Sequence, residues 1–306
     1  MAVKTWSTPV TAEETRLIPC TLCGGNDFVF HFSCSASLDK KSAAGFTYVR
    51  CKHCGLIQIN PQPNPAAVTL RYGGTETSLA GHGGDYLAYE EANEAAFLKL
   101  QELGLRDAGF FNLEQRLFSK VHNPAVLDIG CATGALLAKL RDRGWAVQGV
   151  EISGPQAACC RRRGLEVSSL PLEANHFAPQ QFDLILASHL IEHLNDPGSF
   201  VREIYRICKP GGSFLVTTPN IGGFQAKLFG ADWRSAIFDH LYLFSIKTLR
   251  KLLENAGFTV ERVKTWGGLA AGIGPAPLKR IADAAVKCLN AGDVMIMRAV
   301  RPGTSG

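Results

Sequence analysis

The sequence predicts an α/β fold: a doubly wound, Rossmann-like sheet preceded by a small module held together by cysteines. Three observations carry that expectation. Two C-x-x-C pairs, Cys20 with Cys23 and Cys51 with Cys54, stand near the start of the chain. An apolar strand runs into a glycine turn and then a helix at VLDIGCATGALL, residues 126–137. A second apolar strand ends in Glu151, seventeen residues after Gly134. With 306 residues, 46% hydrophobic and 19% charged, the chain is long enough for one large core plus a small extra unit.

Charge and hydropathy exclude several classes of partner. The net charge of +5 is spread along the chain, and its densest run is only Arg161, Arg162 and Arg163, which points away from DNA and from a membrane surface. No segment approaches the ~18 uncharged apolar residues of a membrane helix. The N-terminus, MAVKTWSTPVTAEE, lacks the apolar centre of a signal peptide, so the expected compartment is the cytoplasm. Four of the ten cysteines fall in the two pairs and Cys159 and Cys160 are adjacent, which suits a reducing compartment and a metal better than a disulfide framework. The oligomeric state is not specified by the sequence.

The first element, residues 1–65, contains PCTLCGG and RCKHCGL with 27 residues between Cys23 and Cys51. Each C-x-x-C closes a tight turn that points two sulfurs at one centre, and two such knuckles make a tetrahedral four-thiolate site suited to zinc. FVFHF (28–32) and FTYVR (46–50) are aromatic and β-branched and read as the strands of a ribbon. A unit of this size buries little apolar surface, so zinc, worth on the order of 10 kcal/mol of folding free energy, is expected to be structural. His53 sits inside the second knuckle and is expected to be exposed, because four sulfurs complete the shell.

Residues 66–88 are rich in proline and glycine, with Tyr72 and Tyr86 interleaved, and read as a linker or lid. From residue 89 the main domain begins with YEEANEAAFLKLQEL, whose early acidic residues and helical apolar spacing predict an amphipathic helix.

The strand–turn–helix at 126–137 has the spacing D-x-G-x-x-x-G, from Asp128 through Gly130 to Gly134, rather than the G-x-G-x-x-G of a dinucleotide fold. Its small residues let the backbone approach a ligand, and the helix N-terminus offers free N–H groups. Glu151, at the tip of the second strand, is placed to accept the ribose hydroxyls of an adenosine.

In this order and spacing the chain resembles class I S-adenosylmethionine-dependent methyltransferases. The resemblance continues through FDLILASHLIEHLNDP (182–197), REIYRICKPGGSFLVTTPN (202–220), DHLYLFSIKTLRKLLENAGF (239–258) and VMIMRAV (294–300), and covers residues 85–301. With its cysteine ribbon the chain is similar to a subgroup associated with bacterial surface-glycan and sugar modification, and its resemblance to the sugar C-methyltransferases stops short of their extra C-terminal domain. The resemblance implies that Asp128, Gly130, Cys131 and Gly134 hold the methionine part of the cofactor, Glu151 its ribose, and Ile152 the adenine. The third strand, GLEVSSLPLE (164–173), departs from the common pattern, leaving Ser168, Ser169, Glu173 or backbone near Leu172 to meet the adenine. Ser188 and His189 are expected to border the methyl group.

Methyl transfer from a sulfonium is an in-line displacement in which position supplies most of the rate, and a hydroxyl acceptor needs a base near pH 7. FDHLYLFS matches the acidic-His pair that sugar C-methyltransferases carry before YLFS. It points to His240 as base, with Asp239 orienting it or His193 as the alternative. Ile237 stands where the catalytic tyrosine of that group is expected, so O-methylation weighs as much as C-methylation. The competing structural role for His240 is to cap the helix that begins near Ser245. Phe224, Phe229 and Trp233, in a loop with Gly222, Gly223 and Gly230, are candidates to line an acceptor pocket.

Other readings stay open at this level. SHLIEHLNDP contains H-x-x-E-H (His189, Glu192, His193), the pattern of an inverted zinc-protease helix, but it follows a strand inside a cofactor fold. Some related quinone O-methyltransferases place metal-binding acidic and histidine residues in this region, so Glu192 and His193 are a candidate divalent site. An RNA methyltransferase using the ribbon for nucleic acid, and a non-catalytic docking module, are the remaining alternatives. The first would need a basic, aromatic-interleaved ribbon face, where only Lys40, Lys41, Arg50 and Lys52 are present. The second would have no use for intact Asp128, Gly130, Gly134 and Glu151.

Overall fold

The structure, a computed structural model, describes residues 15–35, 45–64, 83–267, 286–287 and 289–303. Most of the bridge read as linker or lid, including Tyr72, lies outside these residues. The ribbon contributes β1 (Thr15–Arg16), β2 (Phe28–Ser35), β3 (Gly45–Cys51), β4 (Ile57–Ile59) and β5 (Gln62–Pro63). Then follow α1 (Gly83–Asp107), α2 (Phe110–Phe118), β6 (Ala125–Ile129), α3 (Ala135–Asp142), β7 (Ala146–Val150), α4 (Gly154–Arg162) and β8 (Val167–Ser168). The second half holds β9 (Phe182–Ser188), α5 (Pro197–Ile207), β10 (Cys208–Pro219), α6 (Phe224–Phe229), β11 (Tyr242–Leu243), α7 (Ile246–Asn255), β12 (Thr259–Trp266) and β13 (Val294–Val300).

Seven strands form the main sheet in the order β12-β13-β10-β9-β6-β7-β8, and β13 alone runs antiparallel to its neighbours. The expected doubly wound sheet is thus present. From β6 the chain winds outward through β7 and β8, then returns to lay β9 on the other side of β6. The crevice at the carboxyl ends of β6 and β9 is therefore the switch point where such sheets bind ligands. β9 reads FDLILAS and is buried along nearly its whole length, as a central parallel strand covered on both faces must be.

Local chemistry sets the flanking helices. Asp196 caps α5 by accepting from the Ser199 N–H at 2.9 Å, Pro197 opens its first turn, and Phe200, Val201, Ile204 and Ile207 form the face buried on the sheet. Ser245 caps α7 in a reciprocal box with Thr248. The helix cap is therefore Ser245 itself, and His240 is released from that role. Helix α1 starts at Gly83, six residues before the sequence predicts, and continues to Asp107.

A second sheet joins the ribbon to the main domain. Its order is β11-β4-β3-β2, so Tyr242 and Leu243 pair antiparallel with Gln58 and Ile57. The strand that follows His240 is thereby the edge of the ribbon's own sheet.

Candidate active site

Asp128, one residue before the end of β6, is 4% exposed, and the chain then turns through Gly130, Ala132 and Gly134, all at positive φ, into α3. A Cβ at Gly134 would stand 2.6 Å from Leu165 and 2.8 Å from the Cys160 sulfur, so only glycine lets this turn close on α4 and the strand beyond it. Glu151 follows β7. Its Oε2 accepts from the Ala132 N–H at 2.9 Å and its Oε1 from the Ser153 N–H at 2.8 Å. Burial pushes Glu151 up to about 7, and burial with the nearby Glu151 charge pushes Asp128 up to about 8. A third acid, Glu90 of α1, is buried beside them, accepts from the Gln156 side chain and has its carboxyl raised by burial. Three buried acids in one crevice offer acceptors for hydroxyls and a favourable field for a cation.

The other residues expected at this crevice divide. Ile152 is exposed directly after Glu151, and Ser188 is half-buried at the carboxyl end of β9. Leu172 is 4% exposed and packs into the core, so any contact it offers a ligand comes from its backbone. Cys131 packs its thiol with Cys160, Leu137 and Leu165, its Sγ 3.9 Å from that of Cys160, so it contributes loop shape rather than a side-chain contact. His189 holds φ 52°, an uncommon value for a non-glycine residue, while its N–H is bound to Thr217 O at 2.9 Å. Leu190 lies 3.6 Å from where a Gly130 Cβ would be, so the glycine turn and the SHLIEH segment touch.

Beyond that contact the structure gathers Glu192, His193 and His240, one ligand atom of each lying within 4.8 Å of the others. The two imidazoles meet edge to face with centroids 4.7 Å apart. Nδ1 of His193 is 2.9 Å from the Asp239 carbonyl, and Nδ1 of His240 is 2.8 Å from the Ser235 carbonyl. A carbonyl only accepts, so both Nδ1 atoms carry the proton and both Nε2 atoms carry the lone pair in the neutral rings. The expectation that Asp239 orients His240 is therefore corrected at this atom: Ser235 fixes the His240 ring, and Asp239 lends its backbone carbonyl to His193.

Glu192 is 1% exposed; Thr218 donates to its Oε2 at 2.9 Å. Its Oε1 has no hydrogen bond, although Nδ1 of His189 stands 3.4 Å away. Burial opposes its charge, yet the surrounding His189, His193 and His240 outweigh burial and hold the carboxyl down to about 2. His240 is 8% exposed, and burial, with the neighbouring His193, pushes its imidazole down to about 3.

The four N-terminal cysteines also converge. The Sγ atoms of Cys20 and Cys54 are 3.4 Å apart, those of Cys23 and Cys51 3.5 Å apart, and all four lie within 4.8 Å. Zn–S bonds of about 2.3 Å in a tetrahedron imply S···S edges of roughly 3.8 Å, so the cluster fits zinc. The two knuckles are matched turns: Gly24 N bonds Cys20 O at 2.7 Å and Gly55 N bonds Cys51 O at 2.9 Å, both glycines at positive φ. Burial works against the Cys51 charge, but the Cys54 and His53 N–H groups and the neighbouring thiols bring it down to about 7. His53 is exposed, as expected.

Sequence reasoning missed three contributors. Glu90 was hidden in an acidic run that reads as ordinary helix-start charge, whereas Glu192 stood out with His193 as a candidate divalent site. Ser235 acts through a carbonyl, which leaves no trace in residue type. Tyr48 looked like one more strand aromatic, yet its hydroxyl reaches the His240 carbonyl at 2.7 Å. In the opposite direction, Trp233 is 1% exposed and its indole N–H is bound to the buried Asp293, so it is core rather than an acceptor-pocket wall. Phe224 and Phe229 remain 45% and 41% exposed.

Comparison with known proteins identifies the family and the fold. Residues 98–263 match the methyltransferase-domain family. Over 102 residues, 31% of its length, the chain is 35% identical to the ubiquinone biosynthesis O-methyltransferase of Pseudomonas putida (strain W619), and the match spans 44% of that protein. The corresponding protein of Pseudomonas aeruginosa (strain LESB58) is also 35% identical over 102 residues, again across 44% of its length. The chain thus spans less than half the length of these relatives. Among solved structures, a S-adenosylmethionine-dependent methyltransferase from Archaeoglobus fulgidus superimposes with a TM-score of 0.50 at 20% identity, covering 70% of this chain and 99% of that one. A Haloferax volcanii methyltransferase complex with the Trm112 activator gives a TM-score of 0.50 at 19% identity, covering 72% and 96%. At such identity the likeness speaks to fold alone. No helix among the described residues is long and apolar enough to cross a membrane.

Proposed function

Because the chain belongs to the methyltransferase-domain family, we propose that it transfers the methyl group of S-adenosylmethionine to a small-molecule or glycan acceptor, a sugar hydroxyl or sugar carbon, with His240 as general base. The carrying observation is the histidine pair. Both rings bond a backbone carbonyl through Nδ1, so each neutral ring carries its lone pair on Nε2, and one ring nitrogen of each lies within 4.8 Å of buried Glu192, one loop away from the glycine turn. Asp128, Gly130 and Gly134 would cradle the methionine end of the cofactor, and Glu151 would accept from its ribose.

The bound cofactor would supply an electrophilic methyl group to the acceptor oxygen and leave as a neutral thioether. The proton released by the hydroxyl passes to Nε2 of His240. Glu192, which stays ionised, offsets the positive charge then shared by the rings, an arrangement that stabilises charge where it develops. Four thiolates hold a structural zinc in the ribbon. What favours a small acceptor over RNA is that the ribbon packs inward on the loop carrying His240, and that Lys52 is paired with Asp27 at 2.9 Å.

Incubation with labelled S-adenosylmethionine and a panel of nucleotide sugars and small glycosides, read by mass spectrometry, tests the reading. A labelled glycoside is expected; labelling of tRNA or rRNA with no glycoside labelled would overturn it. A second reading is favoured by Glu192 Oε1, a buried charged atom without a hydrogen bond: a divalent cation held by Glu192 and the Nε2 atoms of His193 and His240. Elemental analysis separates the two, with one metal per chain expected if the histidines serve as bases and two if they are ligands.

A further inference from the structure

The ribbon and the histidine loop are bound together by more than shared packing. Tyr48, in the middle of β3, is fully buried, and its hydroxyl lies 2.7 Å from the His240 carbonyl and 2.9 Å from the Ile237 carbonyl. Those two residues close one turn, with His240 N bonded to Ile237 O at 3.0 Å. One phenolic proton is thus shared by both carbonyls of the turn that presents the His240 ring. Immediately after it, Ile59 N bonds Leu241 O at 2.9 Å, and β11 joins the ribbon sheet. On the near side, Phe46 packs edge to face on Phe238 at 5.4 Å, and Cys34 Sγ reaches Ala231 O at 3.4 Å. The next tyrosine extends the linkage to the other histidine's segment: Tyr242 donates to Asn195 O at 2.9 Å, and Asn195 in turn donates to Pro63 O of the ribbon at 3.1 Å.

A buried tyrosine that only filled space could be phenylalanine without loss, because its ring supplies the packing and a dry hydroxyl is a liability unless it is bonded. Here the hydroxyl satisfies two carbonyls that would otherwise lack it as a donor. The second C-x-x-C pair begins at Cys51, three residues beyond Tyr48 on the same strand. The knuckle that would anchor zinc therefore anchors the strand that holds the turn.

We propose that the cysteine ribbon is a working part of the acceptor site and that Tyr48 is a positioning residue, its hydroxyl fixing the turn that aims the His240 ring. The proposal rests on the reading of His240 as an acceptor-site residue, but its test does not require methyl transfer. The probe is the His240 Nδ1–H proton, bonded to Ser235 O, followed by NMR in the full chain loaded with zinc and labelled with nitrogen-15 histidine; His240→Gln identifies the signal. Tyr48→Phe keeps the ring and removes only the oxygen. Its expected effect is an exchange rate of that proton raised about tenfold or more, the scale of one lost buried hydrogen bond, with zinc content unchanged. An unchanged rate with zinc retained overturns the proposal.

A second measurement covers the case in which the variant loses its metal. In the unaltered chain, a chelator strong enough to strip the four cysteines is expected to release the His240 proton in step with the Tyr48 backbone amide. If the Tyr48 amide exchanges freely while the His240 proton stays protected, the ribbon does not hold the ring and the proposal fails. Failure of His240 as base is seen separately, as undiminished methyl transfer by a His240 variant.

Discussion

Glu151 accepts the backbone N–H of Ala132 at 2.9 Å, so the carboxylate proposed to take the cofactor's ribose also clamps the glycine turn proposed to hold its methionine. The two halves of the proposed site are thereby one unit. Glu151→Gln keeps the shape, removes the charge and is expected to weaken S-adenosylmethionine binding about 10–100-fold in calorimetry, the range for hydrogen bonds to a charged group. Because Glu151 is pushed up to about 7, wild-type affinity should fall as pH drops below 7 and its acceptor form is lost. Glu151→Gln should lose that slope, and a slope that persists would assign it to another group.

Asp128 carries the opposite consequence for the unliganded protein. Its folded value is raised to about 8 from an ordinary 3.8. The native state therefore holds this proton more tightly than the unfolded chain, and stability is lost progressively as pH rises from about 4 to about 8, above which the loss is complete. Asp128→Asn removes a penalty that is already partly present at pH 6 and is largest above pH 8. Thermal unfolding should show the variant's gain over wild type at pH 9 exceeding its gain at pH 6 by at least about 2 °C, while its cofactor affinity drops at both. An equal shift at both pH values would contradict a titrating Asp128.

Most of this layout was legible because it depends on local pattern. Asp128, Gly130, Gly134 and Glu151 sit where strand ends meet a turn that demands glycine, and two C-x-x-C knuckles state their geometry in four letters. What stayed hidden depends on contacts across the chain. Tyr48 and His240 are 192 residues apart, and Glu90 meets Gln156 across 66. Residue type misled most at Trp233, where an aromatic in a glycine-bearing loop resembles a sugar platform. Its partner, Asp293, lies 60 residues on, next to the last strand.

The histidine pair should separate chemistry from binding. His240→Ala is expected to reduce kcat by about 10²–10⁴, the usual contribution of a positioned base, and to leave S-adenosylmethionine affinity within about twofold. His193→Ala leaves the His240–Ser235 bond in place and should cost less. A larger loss from His193→Ala than from His240→Ala would exchange their roles.

The cysteines lead to a prediction about reach. Cys20 is 1% exposed, and Cys20→Ser removes one of four thiolates from a site worth on the order of 10 kcal/mol when zinc is bound. The expected result is loss of zinc by elemental analysis together with loss of methyl transfer, because Leu243 pairs with Ile57 of the ribbon. Cofactor affinity should persist, since Asp128 lies on β6 and Glu151 directly follows β7, strands the ribbon does not pair with. Retained turnover without zinc would make the ribbon dispensable.

Trp233 decides between core and acceptor wall. It is 1% exposed, and its indole N–H and the Arg234 guanidinium are the donors holding Asp293, a carboxylate that is fully buried. Trp233→Ala removes a large core side chain and one of those donors, for an expected cost of about 3–5 kcal/mol from the lost packing alone. Trp233→Phe preserves most of the volume but leaves Asp293 short of a donor, at about 1–3 kcal/mol. Chemical denaturation of both variants measures these losses. If Trp233 instead lined the acceptor pocket, Trp233→Phe would keep wild-type stability and raise the acceptor KM. Phe224 and Phe229, each more than two-fifths exposed, should behave in that second way when changed to alanine, losing acceptor affinity at a stability cost below about 1 kcal/mol.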